Sequence, residues 1–143
     1  MRETAIQLAT AFLGSLGFSI MFGLRRRYLF AASLGGLLAW GVYLVTQSLM
    51  HTPFLSYLLA AAFAVVYAEG LARLLKSPAT LFVVPGIVPL APGSSLYYAM
   101  SSAVGGDLAL ARQYGGATLK AALAIAAGIS FVLAIRELKT KRQ

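Results

Sequence analysis

The sequence contains no cysteine, one histidine and only four acidic residues in 143. Without cysteine there can be no disulfide, no thiolate metal site and no thiol nucleophile. The four acids are scattered, and Ser94-Ser95 has no histidine or lysine base at a useful spacing for nucleophilic catalysis. We therefore predict that the protein is not an enzyme, and we expect neither a metal nor a cofactor.

Charged residues are also scarce. They make up 11% of the chain, against about a quarter of a soluble domain. By contrast, 59% of the residues are hydrophobic and the mean hydropathy is +0.80. The net charge is +8, but the basic residues stand in short clusters between apolar runs, which is typical of membrane loops. We predict an all-α, polytopic protein embedded in a lipid bilayer, with one transmembrane domain over 1–143 and no nucleic-acid partner.

The apolar runs predict about five transmembrane helices. A bilayer crossing needs about 20 apolar residues. The runs place spans at 4–24, 29–50, 53–75, 79–104 and 117–135, with a basic tail at 136–143. Small residues that permit close helix packing recur in the third and fifth spans: Ala60, Ala64 and Ala68, then Ala124 and Gly128. The first run is too long for a cleaved signal peptide, so we expect it to be retained as a span.

The fourth span is predicted to be broken. Residues 77–106 carry no charge but contain four prolines, two of them in Pro-Gly pairs. Proline lacks the N–H that a helix interior uses, and its ring clashes with the preceding turn. We predict a half-helix over Ala79–Val84, an unwound stretch over Pro85–Pro92, and a second half-helix from Ser94 or Ser95 to about Val104.

Broken backbone at membrane depth is tolerated where it is buried in protein or lines a watery cavity, and half-helix ends form the central sites of many transporters. The N–H groups of Gly93, Ser94 and Ser95 would form a positive helix start that suits a carboxylate. The predicted substrate-binding residues are Pro85, Gly86, Pro89, Pro92, Gly93, Ser94, Ser95 and Tyr97. The alternative is a set of proline kinks that serve packing alone.

Other polar residues allow two interpretations each. Glu69 lies inside an apolar run and is a candidate for ion coupling, or else it pairs with Arg73 four residues later. Lys120 either binds a substrate carboxylate or extends to the lipid headgroups. Arg112 belongs to a predicted polar connection over 105–116. The aromatic residues of the second and third spans are expected to pack or to anchor at the membrane interface: Trp40, Tyr43, Tyr57 and Tyr67.

The basic residues predict the orientation. With five crossings and the N-terminus outside, nine of the twelve lysines and arginines are cytoplasmic. A re-entrant fourth segment would move the basic tail outside, so five crossings is the better interpretation. Two units with an odd number of crossings can pair as an antiparallel repeat. We therefore expect a partner, which is either a second copy or a distinct subunit.

The stretch from Pro78 to Met100, PATLFVVPGIVPLAPGSSLYYAM, resembles the signature of the threonine/serine exporter family. The resemblance is strongest to its small-subunit branch, the YjjB type. The matching elements are Pro78-Ala79-Thr80, Pro85-Gly86, Pro89, Pro92-Gly93 and Tyr97. The chain length and the five apolar runs are also similar to that branch.

The resemblance implies a subunit of a secondary exporter in a bacterial inner membrane, with the N-terminus periplasmic and the C-terminus cytoplasmic. The implied solutes are threonine and serine or small dicarboxylates such as succinate. The implied partner is a larger subunit with a soluble region plus five spans. The alternatives are a structural membrane subunit that does not itself transport, and a homo-oligomeric channel.

Overall fold

The computed structural model describes residues 2–140, and every regular element in that range is helical. The elements are α1 (Arg2–Met21), α2 (Arg26–Met50), α3 (Pro53–Leu75), α4 (Thr80–Ile87), a 3-10 turn (Val88–Leu90), α5 (Gly93–Val104) and α6 (Leu108–Thr140). The predicted all-α class is thus confirmed. Part of the predicted basic tail, residues 141–143, lies outside the described residues.

Four helices, α1, α2, α3 and α6, are each long and apolar enough to cross a membrane. The segment from α4 to α5 passes the same test as a bent pair, with an angle of 52° between its two halves. Counted as one broken span, this pair brings the number of crossings to five. The architecture agrees with the predicted polytopic bundle.

Helix α3 packs against α2, α4 and α6, and small side chains make this packing close. The predicted stripe of Ala60, Ala64 and Ala68 is at most 1% exposed. Opposite it, a Cβ added to Gly128 of α6 would lie 2.4 Å from the carbonyl oxygen of Leu58. Glycine at this position therefore allows α6 to approach the backbone of α3.

Helices α1 and α2 meet the fourth crossing at one point. Ser15 of α1 is fully buried, and a Cβ added to Gly36 of α2 would lie 1.8 Å from the Ser15 Oγ. The same Cβ would lie 3.2 Å from the carbonyl oxygen of Pro85. No side chain larger than hydrogen fits at position 36 without moving one of its neighbours.

The fourth crossing is more helical than its prolines predict. Helix α4 continues through Pro85 and Gly86 to Ile87, and the 3-10 turn follows directly. Only Ala91 and Pro92 remain outside helical structure before α5, whereas the sequence predicts an unwound stretch over the whole of Pro85–Pro92. The break is therefore a sharp bend of two residues.

A contact from another helix explains how the helical backbone continues past Pro85 although Pro89 follows four residues later. In a continuing helix the Pro85 carbonyl would accept a hydrogen bond from the N–H of residue 89, but residue 89 is also proline and has none. The Ser15 Oγ donates to this carbonyl instead, at 2.8 Å in a buried position. Ser15 of α1 therefore supplies the hydrogen bond to the Pro85 carbonyl that Pro89 cannot supply.

The connection between α5 and α6 is shorter than expected. It consists of residues 105–107, and α6 begins at Leu108, not at the predicted Ala117. The Asp107 Oδ1 accepts a hydrogen bond from the Leu110 N–H at 3.0 Å, which is the N-cap arrangement that starts helices. Gly106, with a φ of +84°, makes the preceding turn. The cap extends α6 back over Arg112, which then lies on a helix.

Candidate functional site

A cavity of about 870 Å³ lies among α2, α3, α5 and α6, next to the turn that joins α2 to α3. Its volume is in the range of small-molecule sites. One wall is aromatic: the Trp40 ring stacks on Tyr43 with centroids 4.8 Å apart, and Tyr43 lies 4.6 Å from Tyr57. The exposed residues Thr52 and Pro53 also line the cavity, so it reaches the protein surface at that turn.

The bend of the fourth crossing forms a second wall. Pro89, Pro92, Ser94 and Ser95 line the cavity. The N–H groups of Ser94 and Ser95 belong to the first turn of α5, where a helix has no internal acceptors for them. The Gly93 N–H differs, because it already donates to the carbonyl of Ala91 at 2.7 Å. The helix start therefore offers two backbone donors to an anion.

Helix α6 adds cationic groups to the cavity, and Thr118, which is not a lining residue, ties the helix to α5. The Thr118 Oγ1 donates to the Ser95 Oγ at 2.9 Å. Arg112 and Lys120 both line the cavity, and no aspartate or glutamate is among its lining residues, all of which lie in the described part of the chain. The cavity is therefore electropositive.

The indole of Trp40 has a polar atom that the fold leaves unsatisfied. Among the buried side-chain nitrogen and oxygen atoms of residues 2–138, the Trp40 Nε1 is the one that has no hydrogen-bond partner. A buried donor that is left unpaired costs about 1–3 kcal/mol. Trp40 lines the cavity, but the Nε1 atom itself is buried and is not open to a solute there.

The predicted substrate-binding residues fall into three groups in the structure. Four of them line the cavity, namely Pro89, Pro92, Ser94 and Ser95. Pro85 and Gly86 are instead buried in helix packing, where a Cβ on Gly86 would lie 3.7 Å from the Cβ of Ala64. Gly93 and Tyr97 are exposed outside the cavity lining, and the Tyr97 ring contacts Tyr98 at 5.5 Å.

Other lining residues were assigned different roles from the sequence. Trp40, Tyr43 and Tyr57 were expected to pack or to anchor the chain, and Arg112 to lie in a polar loop. One feature of the sequence could have indicated the role of the two cations: neither Arg112 nor Lys120 has an acidic residue within four positions along the chain. A cation without a local counter-ion in an apolar sequence indicates a charge that is used elsewhere.

Glu69 lies far from the cavity. It is twelve residues beyond Tyr57 on α3, which corresponds to about 18 Å along the helix. Its Oε1 accepts from the Arg136 Nη1 of α6 at 3.1 Å, so its partner is Arg136 and not the expected Arg73. The Glu69 side chain is 13% exposed and that of Arg136 is 54% exposed. The ion pair thus joins α3 to α6 at the end of the bundle opposite the cavity.

A family model described as "Threonine/Serine exporter, ThrE" matches residues 7–135, which include every residue that lines the cavity. Searches of curated proteins and of solved structures found no match to the chain. The family match covers nearly all of the helical bundle, and it agrees with the apolar helices that span a membrane. The chain therefore belongs to the threonine/serine exporter family, whose members are membrane transporters and not enzymes.

Proposed function

We propose that the chain is a subunit of a secondary exporter for small carboxylate-bearing solutes, and that the cavity is its solute site. The supporting observation is that one cavity combines the start of α5 with Arg112 and Lys120 and has no acidic lining residue. The solutes that fit are threonine and serine, or dicarboxylates such as succinate.

One carboxylate of the solute would accept from the N–H groups of Ser94 and Ser95 and from one of the two cations. The Ser95 hydroxyl, which lines the cavity, would accept from a solute hydroxyl. Hydrogen bonds to charged groups are worth about 1.5–3 kcal/mol each, so a few of them suffice for a transport site.

The charge of the cavity favours a dicarboxylate over an amino acid. The second carboxylate of a dicarboxylate would meet the second cation on α6. The ammonium group of threonine would find no carboxylate and would have to lie against the rings of Trp40, Tyr43 and Tyr57. An amino acid therefore remains a possible solute with a weaker fit.

For the transport cycle we propose alternating access in a bacterial inner membrane. The N-terminus would be periplasmic and the C-terminus cytoplasmic, which places the cavity mouth on the periplasmic side. An odd number of crossings supports assembly with a second, antiparallel unit. That unit is either a larger subunit with a soluble region plus five spans or a second copy of the chain.

Blocking the cavity tests this function. We expect Ser94→Phe to reduce export to the level of a strain without the chain, because its ring would fill the space beside the α5 start. The matched control is Gly93→Phe: position 93 is outside the cavity lining, and an added Cβ meets nothing within 4 Å. The measurement is efflux of labelled threonine and succinate from cells that express each variant at the natural locus.

Equal efflux from the Ser94→Phe variant and the wild type, at equal membrane abundance, would favour a structural subunit that does not transport. Equal loss in both variants would contradict the assignment of the site to the Ser94 side of α5. Saturable efflux driven by a gradient supports a carrier, whereas flux that rises linearly with solute concentration would favour a channel.

We also propose that Glu69 couples export to protons. Because Arg136 is more than half exposed, its ion pair contributes only about 0–1 kcal/mol, and Glu69→Gln should fold normally. We expect this variant to lose the stimulation of export by a pH gradient but to keep solute-for-solute exchange in vesicles. If Glu69→Gln keeps the full stimulation by a pH gradient, proton coupling by Glu69 is excluded.

A further inference from the structure

Two connections lie side by side at the end of the bundle opposite the cavity. One joins α1 to α2 and the other joins α3 to α4. The Tyr28 ring of α2 meets the Phe82 ring of α4 edge to face at 5.7 Å. The Ser77 Oγ of the second connection donates to the Tyr28 hydroxyl at 2.9 Å. The first turns of α2 and α4 are therefore held next to each other.

A cleft of about 400 Å³ opens between these connections, and three cations line it: Arg25, Arg27 and Lys76. A second hollow of about 430 Å³ shares Arg27 and Lys76 and adds Leu74 and Leu75. No acidic residue is among the lining residues of either space, all of which the structure describes. The preference for positive charge on the cytoplasmic side explains cations in both connections. The packing of Tyr28 against Phe82 and Ser77 brings these cations around one cleft.

The neutral groups of the cleft also suit an anion. The Tyr28 side chain is only 5% exposed, and its oxygen accepts from both Arg27 and Ser77. Tyr28 itself lines the cleft beside these cations. In addition, neither α2 nor α4 has a side-chain cap or an acidic residue in its first turn, so both positive helix starts are left uncompensated.

Apolar groups flank these cations. Leu74 is 80% exposed and Phe22 is 56% exposed, as expected for side chains that contact acyl chains. The hollow lined by Leu74 adjoins the cationic cleft, since Arg27 and Lys76 line both spaces. A ligand with a phosphate and an adjoining hydrocarbon chain matches both spaces, whereas free phosphate would fill only the first.

We propose that Arg25, Arg27, Lys76 and Tyr28 form a binding site for the phosphate headgroup of an anionic phospholipid. The acyl chains lie along Leu74 and Leu75. The site is separate from the solute cavity and does not depend on which solute the protein exports. It holds the α1–α2 and α3–α4 connections together through the lipid.

The test is native mass spectrometry of the purified full chain with phosphatidylglycerol, with phosphatidylcholine and with inorganic phosphate. We expect phosphatidylglycerol to bind preferentially. The triple variant Arg25→Gln, Arg27→Gln and Lys76→Gln should bind it roughly 100-fold more weakly, at about fivefold for each lost charge. The matched control, Arg2→Gln, Arg26→Gln and Arg73→Gln, removes the same charge outside the cleft and should bind within about twofold of the wild type.

A second variant covers the case in which the triple variant does not fold. Ser77→Asp introduces a carboxylate beside Tyr28 and should also abolish the preference for phosphatidylglycerol, while Ser77→Asn should keep it. Equal weakening in the control triple variant would overturn the site, because it would show attraction to net charge alone. Binding of inorganic phosphate without any preference for phosphatidylglycerol would overturn the lipid as its occupant.

Discussion

Replacing Arg112 and Lys120 together with glutamine should abolish the proposed export of dicarboxylates. Both side chains line the cavity, and no other lysine or arginine among the lining residues compensates for their loss. Each charged hydrogen bond is worth about 1.5–3 kcal/mol, and tenfold in affinity corresponds to about 1.4 kcal/mol. Because both residues are solvent-exposed, we expect the lower end of that range, so each single substitution should raise KM by at least about tenfold.

The measurement is the concentration dependence of labelled succinate and threonine export. In the double variant, export of succinate should fall more than export of threonine, since only succinate has a second carboxylate for the second cation. Lys120→Arg should retain most activity. The matched control is Arg2→Gln, which removes a positive charge from α1, a helix that does not line the cavity. Unchanged KM in the double variant would refute the cationic site.

Replacing Gly36 with leucine should prevent the bundle from folding. Even a methyl group at this position would overlap with the Ser15 Oγ at 1.8 Å and crowd the Pro85 carbonyl at 3.2 Å. Overpacking by single methylene groups already costs about 1–3 kcal/mol, and a leucine adds four carbons where three segments meet. We expect little or no monodisperse protein on size-exclusion chromatography after extraction from membranes.

The control is Gly17→Leu on α1, where an added Cβ meets nothing within 4 Å, and this variant should be extracted like the wild type. A compensating pair gives a sharper test of the contact. Gly36→Ala should be strongly destabilising alone but partly restored by Ser15→Gly, which removes both of the atoms closest to the new methyl group. Additive effects of these two changes would show that α1 and α2 do not meet as described.

The residue pattern was sufficient for most of the membrane architecture. The predicted first three spans agree with α1, α2 and α3 to within a few residues, because charged residues and turns bound apolar runs of the right length. The packing stripe on α3 and the glycine opposite it were also predictable, since small residues at a spacing of four lie on one helix face. The sequence of the fourth crossing indicated the break and the residues of the α5 start that line the cavity.

What the sequence determined by itself was local: which runs enter the membrane, where each one ends, and that the fourth is interrupted. The tertiary structure alone decided the rest. The backbone of α4 stays helical through Pro85 because Ser15, 70 residues away, binds the carbonyl that Pro89 leaves free. Likewise, Arg112 and Lys120 line the cavity, and Glu69 pairs with Arg136, because separate helices bring distant side chains together. Such contacts depend on how the helices pack in three dimensions. The sequence shows that Arg112 and Lys120 have no acid within four positions, but it does not specify which surface they reach.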